Sequence, residues 1–208
     1  QGVSSAASDV YKRQVYVLSL AAAVFVNSIR SNKRQQACRI GIYLPNTVST
    51  IVAATLWTFL FNSRNGYINK ILDGIGVGRQ LFLGSRSQAL ICVAIVGIWV
   101  VFGYNMIIFL SALKDVPSEY YEAAKIDGAN AVQRFFKITL PSIKGTTIFV
   151  LVTSLIASFQ AFDQIRVMTS GGPGKTTEVT VYYIFQLAFE QYRFCLLYTS
   201  DAADDTPC

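Results

Sequence analysis

The chain has 208 residues, 52% of them apolar and only 14% charged, with a mean hydropathy of +0.41 and a net charge of +6. A soluble domain carries about 25% charged residues, and the shortfall is concentrated in charge-free runs at Ile40–Ser63, Ser87–Leu113 and Gly145–Phe162, with a shorter one at Gln14–Ile29. Runs of about 20 apolar residues suit helices that cross a bilayer and exclude an ordinary soluble domain, while the absence of histidine removes Ser-His and Cys-His catalysis.

Both ends stand apart from this pattern. Ser4–Gln14 (SSAASDVYKRQ) and Cys195–Asp205 (CLLYTSDAADD) can be encoded by the two strands of one DNA word, which resembles a transposase adapter used in sequencing libraries. Residues 1–14 and 195–208 are therefore set aside as adapter sequence. That leaves 15–194 as an expected incomplete transmembrane domain. The net charge of this stretch rises to +8, sixteen basic residues against eight acidic ones. Its two cysteines, Cys38 and Cys92, lie in a basic segment and an apolar run, a pattern that predicts neither a disulfide nor a metal site.

In chain order, spans are predicted at about 15–29, 42–61, 89–110 and 141–162, with the start of another at 179–194. Arg30–Arg39 reads as a short basic loop. Asn62–Arg86 reads as a polar connection, with five glycines suited to turns. Lys114–Lys144 holds nine charged residues. A central charge costs about 2.5–3.5 kcal/mol in a spanning helix, so this segment stays outside the bilayer. Asp163–Glu178 is a further polar connection. One side of the membrane collects Arg30, Lys33, Arg34, Arg39, Lys114, Lys125, Arg134, Lys137 and Lys144. The other collects Arg64, Lys70, Arg79, Arg86, Arg166 and Lys175. Nine against six puts the first set in the cytoplasm. The expected fold class is an all-α, multi-span membrane protein.

Within the loop at 114–140, Pro117 suits a first helical position, and Tyr120, Tyr121, Ala123 and Ala124 fill the next turns. Gly128 suits a left-handed helix end. Val132, Phe135 and Phe136 then share one face of a second short helix, and Pro141 opens the next span. Two short amphipathic helices hinged at Gly128 are expected at the cytoplasmic surface.

Glu122-Ala123-Ala124, three residues, Gly128, nine residues, Ile138, one residue and Leu140-Pro141 resemble the EAA loop of ATP-binding-cassette (ABC) importer permeases, at the family's spacing. A narrower resemblance covers Trp57, Phe61-Asn62, Gly66, Ile68-Asn69, Leu72, the stretch Tyr121–Ala129, Phe162-Asp163, Thr169-x-Gly171-Gly172-Pro173 and Ala188-Phe189. These residues look like carbohydrate-uptake permeases, and the Gly-Gly-Pro segment resembles the first permease of maltose and glycerol-3-phosphate type systems. The chain departs from that pattern in lacking the first span and most of the last.

The resemblance implies a multi-span helical permease of the bacterial inner (plasma) membrane with a cytoplasmic coupling-helix pair. Its expected partners are a second permease subunit, two ATP-binding-cassette ATPase subunits, an extracytoplasmic solute-binding protein and membrane lipid, but no nucleic acid. Tyr120, Tyr121, Glu122, Ala123, Ala124, Asp127, Gly128, Phe135, Ile138, Leu140 and Pro141 are the implied ATPase-coupling residues. Glu122 would meet a basic ATPase residue and Gly128 would set the angle between the helices. The implied cargo is a sugar or related polyol compound.

Gly97 and Tyr104 at i, i+7 of one span, and Ser154 and Ser158 at i, i+4 of another, are candidate substrate-pathway residues. Small and hydroxyl residues also serve helix packing in lipid, so both readings stand at this point. No catalytic residue, metal site or cofactor is expected. Gly171–Thr176 superficially suggests a phosphate-binding loop, but Thr169 stands where the first glycine is required. The rival readings are an ABC permease for an amino acid or metal, and an ion-coupled secondary transporter. The latter usually carries ionisable residues within its spans, and the three full spans here carry none.

Overall fold

The computed structural model describes residues 2–29, 31–159, 161–174 and 176–192, with side chains from residue 14 onward except at 158, 159 and 180. Arg30, Lys175, the end of the last predicted span at 193–194 and the adapter-like segment 195–208 lie outside the described residues, as do the side chains of 1–13. All regular structure among the described residues is helical. The longer helices are α1 (Gly2–Ser28), α2 (Asn32–Tyr43), α3 (Thr50–Leu60), α5 (Ala89–Lys114) and α9 (Lys144–Phe159). Shorter ones are α4 (Tyr67–Gly74), α6 (Ser118–Ile126), α7 (Ala131–Arg134), α8 (Leu140–Ser142), α10 (Phe162–Met168) and α11 (Thr180–Phe185).

α5 is long and apolar enough to cross a membrane. Its 26 residues rise about 39 Å at 1.5 Å each, more than the roughly 30 Å of bilayer hydrocarbon. The expected span at 42–61 is not one continuous helix. α2 runs into a 3-10 turn at Leu44–Thr47, Val48 is extended with ψ 136°, and α3 starts at Thr50. Pro45 explains why α2 gives way to the 3-10 turn after Tyr43, because it lacks a donor and its ring obstructs the preceding turn. Three other expectations also need correction. The basic segment after Arg30 is helical from Asn32, the glycine-rich connection contains α4, and the connection after Phe162 opens with α10.

The chain divides into two compact units. Residues 8–49 and 97–156 form one. Its core joins Leu20, Ala23 and Val26 of α1 to Met106, Phe109, Leu110 and Leu113 of α5, with Ile143 and Val150. Gly103 brings the α5 backbone against the carbonyl of Ile42, an approach that a side chain would block. The Ser19 hydroxyl donates to the Phe102 carbonyl at 3.1 Å, and the Asn46 amide donates to the Val100 carbonyl at 3.3 Å. In lipid these bonds matter because no water can replace them.

The other unit takes, among the described residues, 2–7, 50–96 and those from 157 to 192. Ala54 of α3 and Phe61 just after it pack with Cys92, Val93 and Val96 of α5 and with Ile165 and Met168 of α10. Trp57 stacks on Phe61 at 5.3 Å, and Phe61 meets Phe82 at the same separation. Cys38 and Cys92 are both free thiols.

Candidate functional site

The segment between α5 and α9 is built from local rules. Pro117 is extended (ψ 133°) and precedes the first helical residue of α6, one position earlier than its sequence suggested. Glu119 in the first turn and Lys125 in the last complement the helix dipole. At the far end Gly128 adopts φ +77°. Its N–H bonds the Lys125 carbonyl at 3.2 Å, while the Ala129 N–H bonds that of Ala124 at 2.9 Å. This double closure is the Schellman pattern, which needs a left-handed residue and so favours glycine. Asn130 then restarts the helix. Its side chain accepts from the Gln133 N–H at 2.9 Å, and Gln133 accepts from the Asn130 N–H at 3.0 Å.

α7 continues into a π turn at Phe135–Thr139 and then α8, so 131–142 is one helical rod. Pro141 withdraws the donor that the Lys137 carbonyl would otherwise use, and the Leu140 N–H reaches back five residues to Phe135. The rod meets α9 at Ile143 with a bend of 69°.

The two faces of this segment differ. The Tyr121 hydroxyl hydrogen-bonds Thr139 at 3.0 Å, tying α6 to the rod. Phe135 and Leu140 pack against the core around Ile143 and Leu113, while Ala124 and Ile138 are half-buried. On the other side Tyr120, Glu122, Ala123, Asp127, Gly128 and Pro141 are exposed. Ile126 is 87% exposed, Val132 64% and Phe136 59%. Val132, Phe135 and Phe136 therefore do not act as one face: Phe135 anchors while the other two are exposed. The Phe135–Phe136 rings meet edge-on at 5.2 Å.

The pathway candidates are not brought together by any described bond. Gly97 and Ser154 are buried, Tyr104 is 47% exposed, and the Ser158 side chain lies outside the described residues. Among the described residues no hydrogen bond links Tyr104 to Ser154.

Several residues with clear structural work escaped the sequence reading. The Asn130–Gln133 pair fits the N-cap rule and was legible in principle. Thr177 and the bonds of Asn69, a residue the resemblance does name, were not, since their partners are set by loop folding. Thr177 donates to the Gly172 carbonyl at 2.8 Å and lies 2.7 Å from the Thr169 hydroxyl, closing the Gly-Gly-Pro loop. In that loop Gly171 (φ +78°) lies against the Tyr182 ring and Gly174 (φ +62°) against the Arg86 guanidinium.

Comparison with known proteins adds lineage to this geometry. Residues 16–199 match the family model described as binding-protein-dependent transport system inner membrane component. The probable ABC transporter permease protein YurN of Bacillus subtilis is 35% identical over 153 residues, covering 73% of this chain and 52% of YurN. The sn-glycerol-3-phosphate transport system permease protein UgpA of Yersinia enterocolitica is 38% identical over 175 residues, covering 83% of this chain and 58% of UgpA. The chain thus spans about half the length of the curated relatives it matches. A crystal structure of a bacterial ABC transporter involved in the import of the acidic polysaccharide alginate superposes with a TM-score of 0.85 at 26% identity, covering 93% of this chain and 68% of that one. With an all-helical fold and a family match over most of its length, the chain belongs to the binding-protein-dependent transport system inner membrane components.

Proposed function

We propose that the chain is the transmembrane part of a permease subunit in an ABC importer, taking up a sugar or related polyol compound and driven by separate ATPases. It crosses the inner membrane several times and pairs with a second permease to enclose the pathway. Two ATPase subunits act from the cytoplasm, and a solute-binding protein delivers cargo from outside. The cargo class is supported by relatives named for sn-glycerol-3-phosphate transport and by the alginate importer. The alginate importer is also described in complex with a substrate-bound periplasmic protein, which supports the binding-protein partner.

The observation that carries this reading is the two-sided coupling segment. Phe135 and Leu140 fix the rod to the core around Ile143, Tyr121 ties α6 to the rod, and Ile126, Val132, Phe136 and Glu122 are exposed to water. Exposed apolar side chains on an anchored rod suit a docking partner, and Glu122 adds a charge for a basic ATPase residue. Gly128 sets the angle between the two arms, and the rod from 131 carries a displacement into α9. Alternating access then follows from exchange between two states of the assembled permease.

Glu122→Ala tests the coupling role. Loss of a charged hydrogen bond costs about 1.5–3 kcal/mol, so ATPase docking should weaken roughly 10- to 100-fold. Substrate-stimulated ATP hydrolysis by the reconstituted transporter should fall accordingly, while helix content stays unchanged because the residue is exposed. Normal stimulation in an assembled Glu122→Ala transporter would refute the role. Uptake driven by an ion gradient without ATPase subunits would favour the secondary-transporter reading instead.

A further inference from the structure

Behind the coupling helices lies a cavity of about 430 Å³, lined by Asn27 and Ser28 from the end of α1, Tyr121 from α6, and Arg134, Phe135 and Thr139 from the rod. Arg134 makes no ion pair among the described residues, and its Nε–H is buried without an acceptor. The carboxylates of α6 and its flanks, Asp115, Glu119, Glu122 and Asp127, are all exposed, and none pairs with it. Arg134 as a whole is half-buried, but its guanidinium keeps its proton, and the buried Nε–H lacks an acceptor that an anion from outside the chain would supply.

The rest of the lining shows which anion fits. Tyr121 and Thr139 satisfy each other at 3.0 Å, and Ser28 donates its hydroxyl to the Phe25 carbonyl at 2.7 Å. The donors left over are the Arg134 fork and the Asn27 amide, which suit an anion with several oxygens. Val24, Leu113 and Phe135 add an apolar wall. Oxyanion donors beside an apolar wall, in a component of the inner membrane, match a phospholipid headgroup. We infer that this cavity binds a phosphate oxyanion, supplied by a phospholipid headgroup, with Arg134 gripping the phosphate oxygens and Asn27 assisting. A lipid seated there would brace the coupling segment from behind, on the side opposite its exposed face. This inference rests on the cavity and on family membership, and it is read by lipid retention rather than by transport.

The test uses the full chain purified in mild detergent and titrated with phosphatidylglycerol, bound lipid being counted by native mass spectrometry. Wild-type protein should retain the lipid. Arg134→Gln should weaken retention about tenfold, Arg134→Lys should fall between, and Lys144→Gln, an exposed cation outside the cavity, should match wild type. Equal retention by Arg134→Gln and wild type overturns the inference, as does an equal loss in Lys144→Gln. A parallel titration with inorganic phosphate separates the sources, since protection against thermal unfolding by phosphate without lipid retention overturns the headgroup assignment. Should Arg134→Gln fail to fold, Arg134→Lys decides alone: it keeps the charge but loses the fork, and undiminished retention counts against the site.

Discussion

Asn69 clasps the chain at Gln80, eleven positions further on, with a single side chain. It is 2% exposed. Its amide nitrogen donates to the Gln80 carbonyl at 2.9 Å and lies 3.2 and 3.4 Å from the carbonyls of Ser63 and Asn62, while its oxygen accepts from the Gln80 N–H at 3.0 Å. Gln80 is further tied to Gln88, whose amide donates to it at 2.8 Å. Asn69→Ala would strip both bonds from the Gln80 backbone and leave buried polar groups unmatched. At about 1–3 kcal/mol per orphaned group, the loss should be roughly 2–4 kcal/mol. Unfolding by a denaturing detergent would measure it, and a change under about 0.5 kcal/mol would show that the loop closes by other means. The resemblance to carbohydrate-uptake permeases singled out Asn69 as a residue, but not as a clamp. Its bonds depend on where the chain at 80 returns, which no spacing rule encodes.

At the scale of helices, two glycines separate packing from propensity. Alanine favours a helix over glycine by about 1 kcal/mol. A Cβ at Gly145 meets nothing within 4 Å, so Gly145→Ala should be neutral or stabilising by up to about 1 kcal/mol. A Cβ at Gly103 would press on the Ile42 carbonyl and the Tyr43 Cα, backbone atoms that cannot rotate aside. Overpacking costs about 1–3 kcal/mol, enough to cancel the propensity gain, so Gly103→Ala should destabilise the unit that contains α2 and the part of α5 from Gly97 on. Paired unfolding measurements on the two variants check this, and equal responses would mean that the α2–α5 approach is loose.

The same scale shows what the sequence made visible. α5 was plain because 27 residues without a charge leave little alternative. The Gly128 hinge was plain because a left-handed helix end strongly favours glycine. The break at Val48–Ser49 was not, since the run 40–63 is charge-free throughout and apolarity alone does not report a change of direction. Pro45 held the warning, but a proline near a helix end is also commonplace. The helical nature of Asn32–Tyr43 was hidden in another way: none of its residues is fully buried, and only Cys38 and Ile42 pack against the core.

For the whole molecule, each unit has its own apolar core, and α5 contributes to both. Family membership places the chain in the inner membrane, and the charge asymmetry predicts which side each loop faces. In a chain stripped of its four cysteines, Lys70→Cys should react in intact cells with a thiol reagent that cannot cross the membrane. Ile126→Cys, at a position 87% exposed, should react only after the cells are opened. The reverse pattern would invert the topology and remove the coupling segment from any cytoplasmic motor.

The angle at Ile143 limits what such a motor could accomplish. Two struts meeting at 69° form an elbow, and a push along one reaches the other mainly as a sideways swing. α9 would thus be steered like a lever about its inner end, parting or closing a gap by rotation, and sliding it through the lipid like a plunger would be the harder movement.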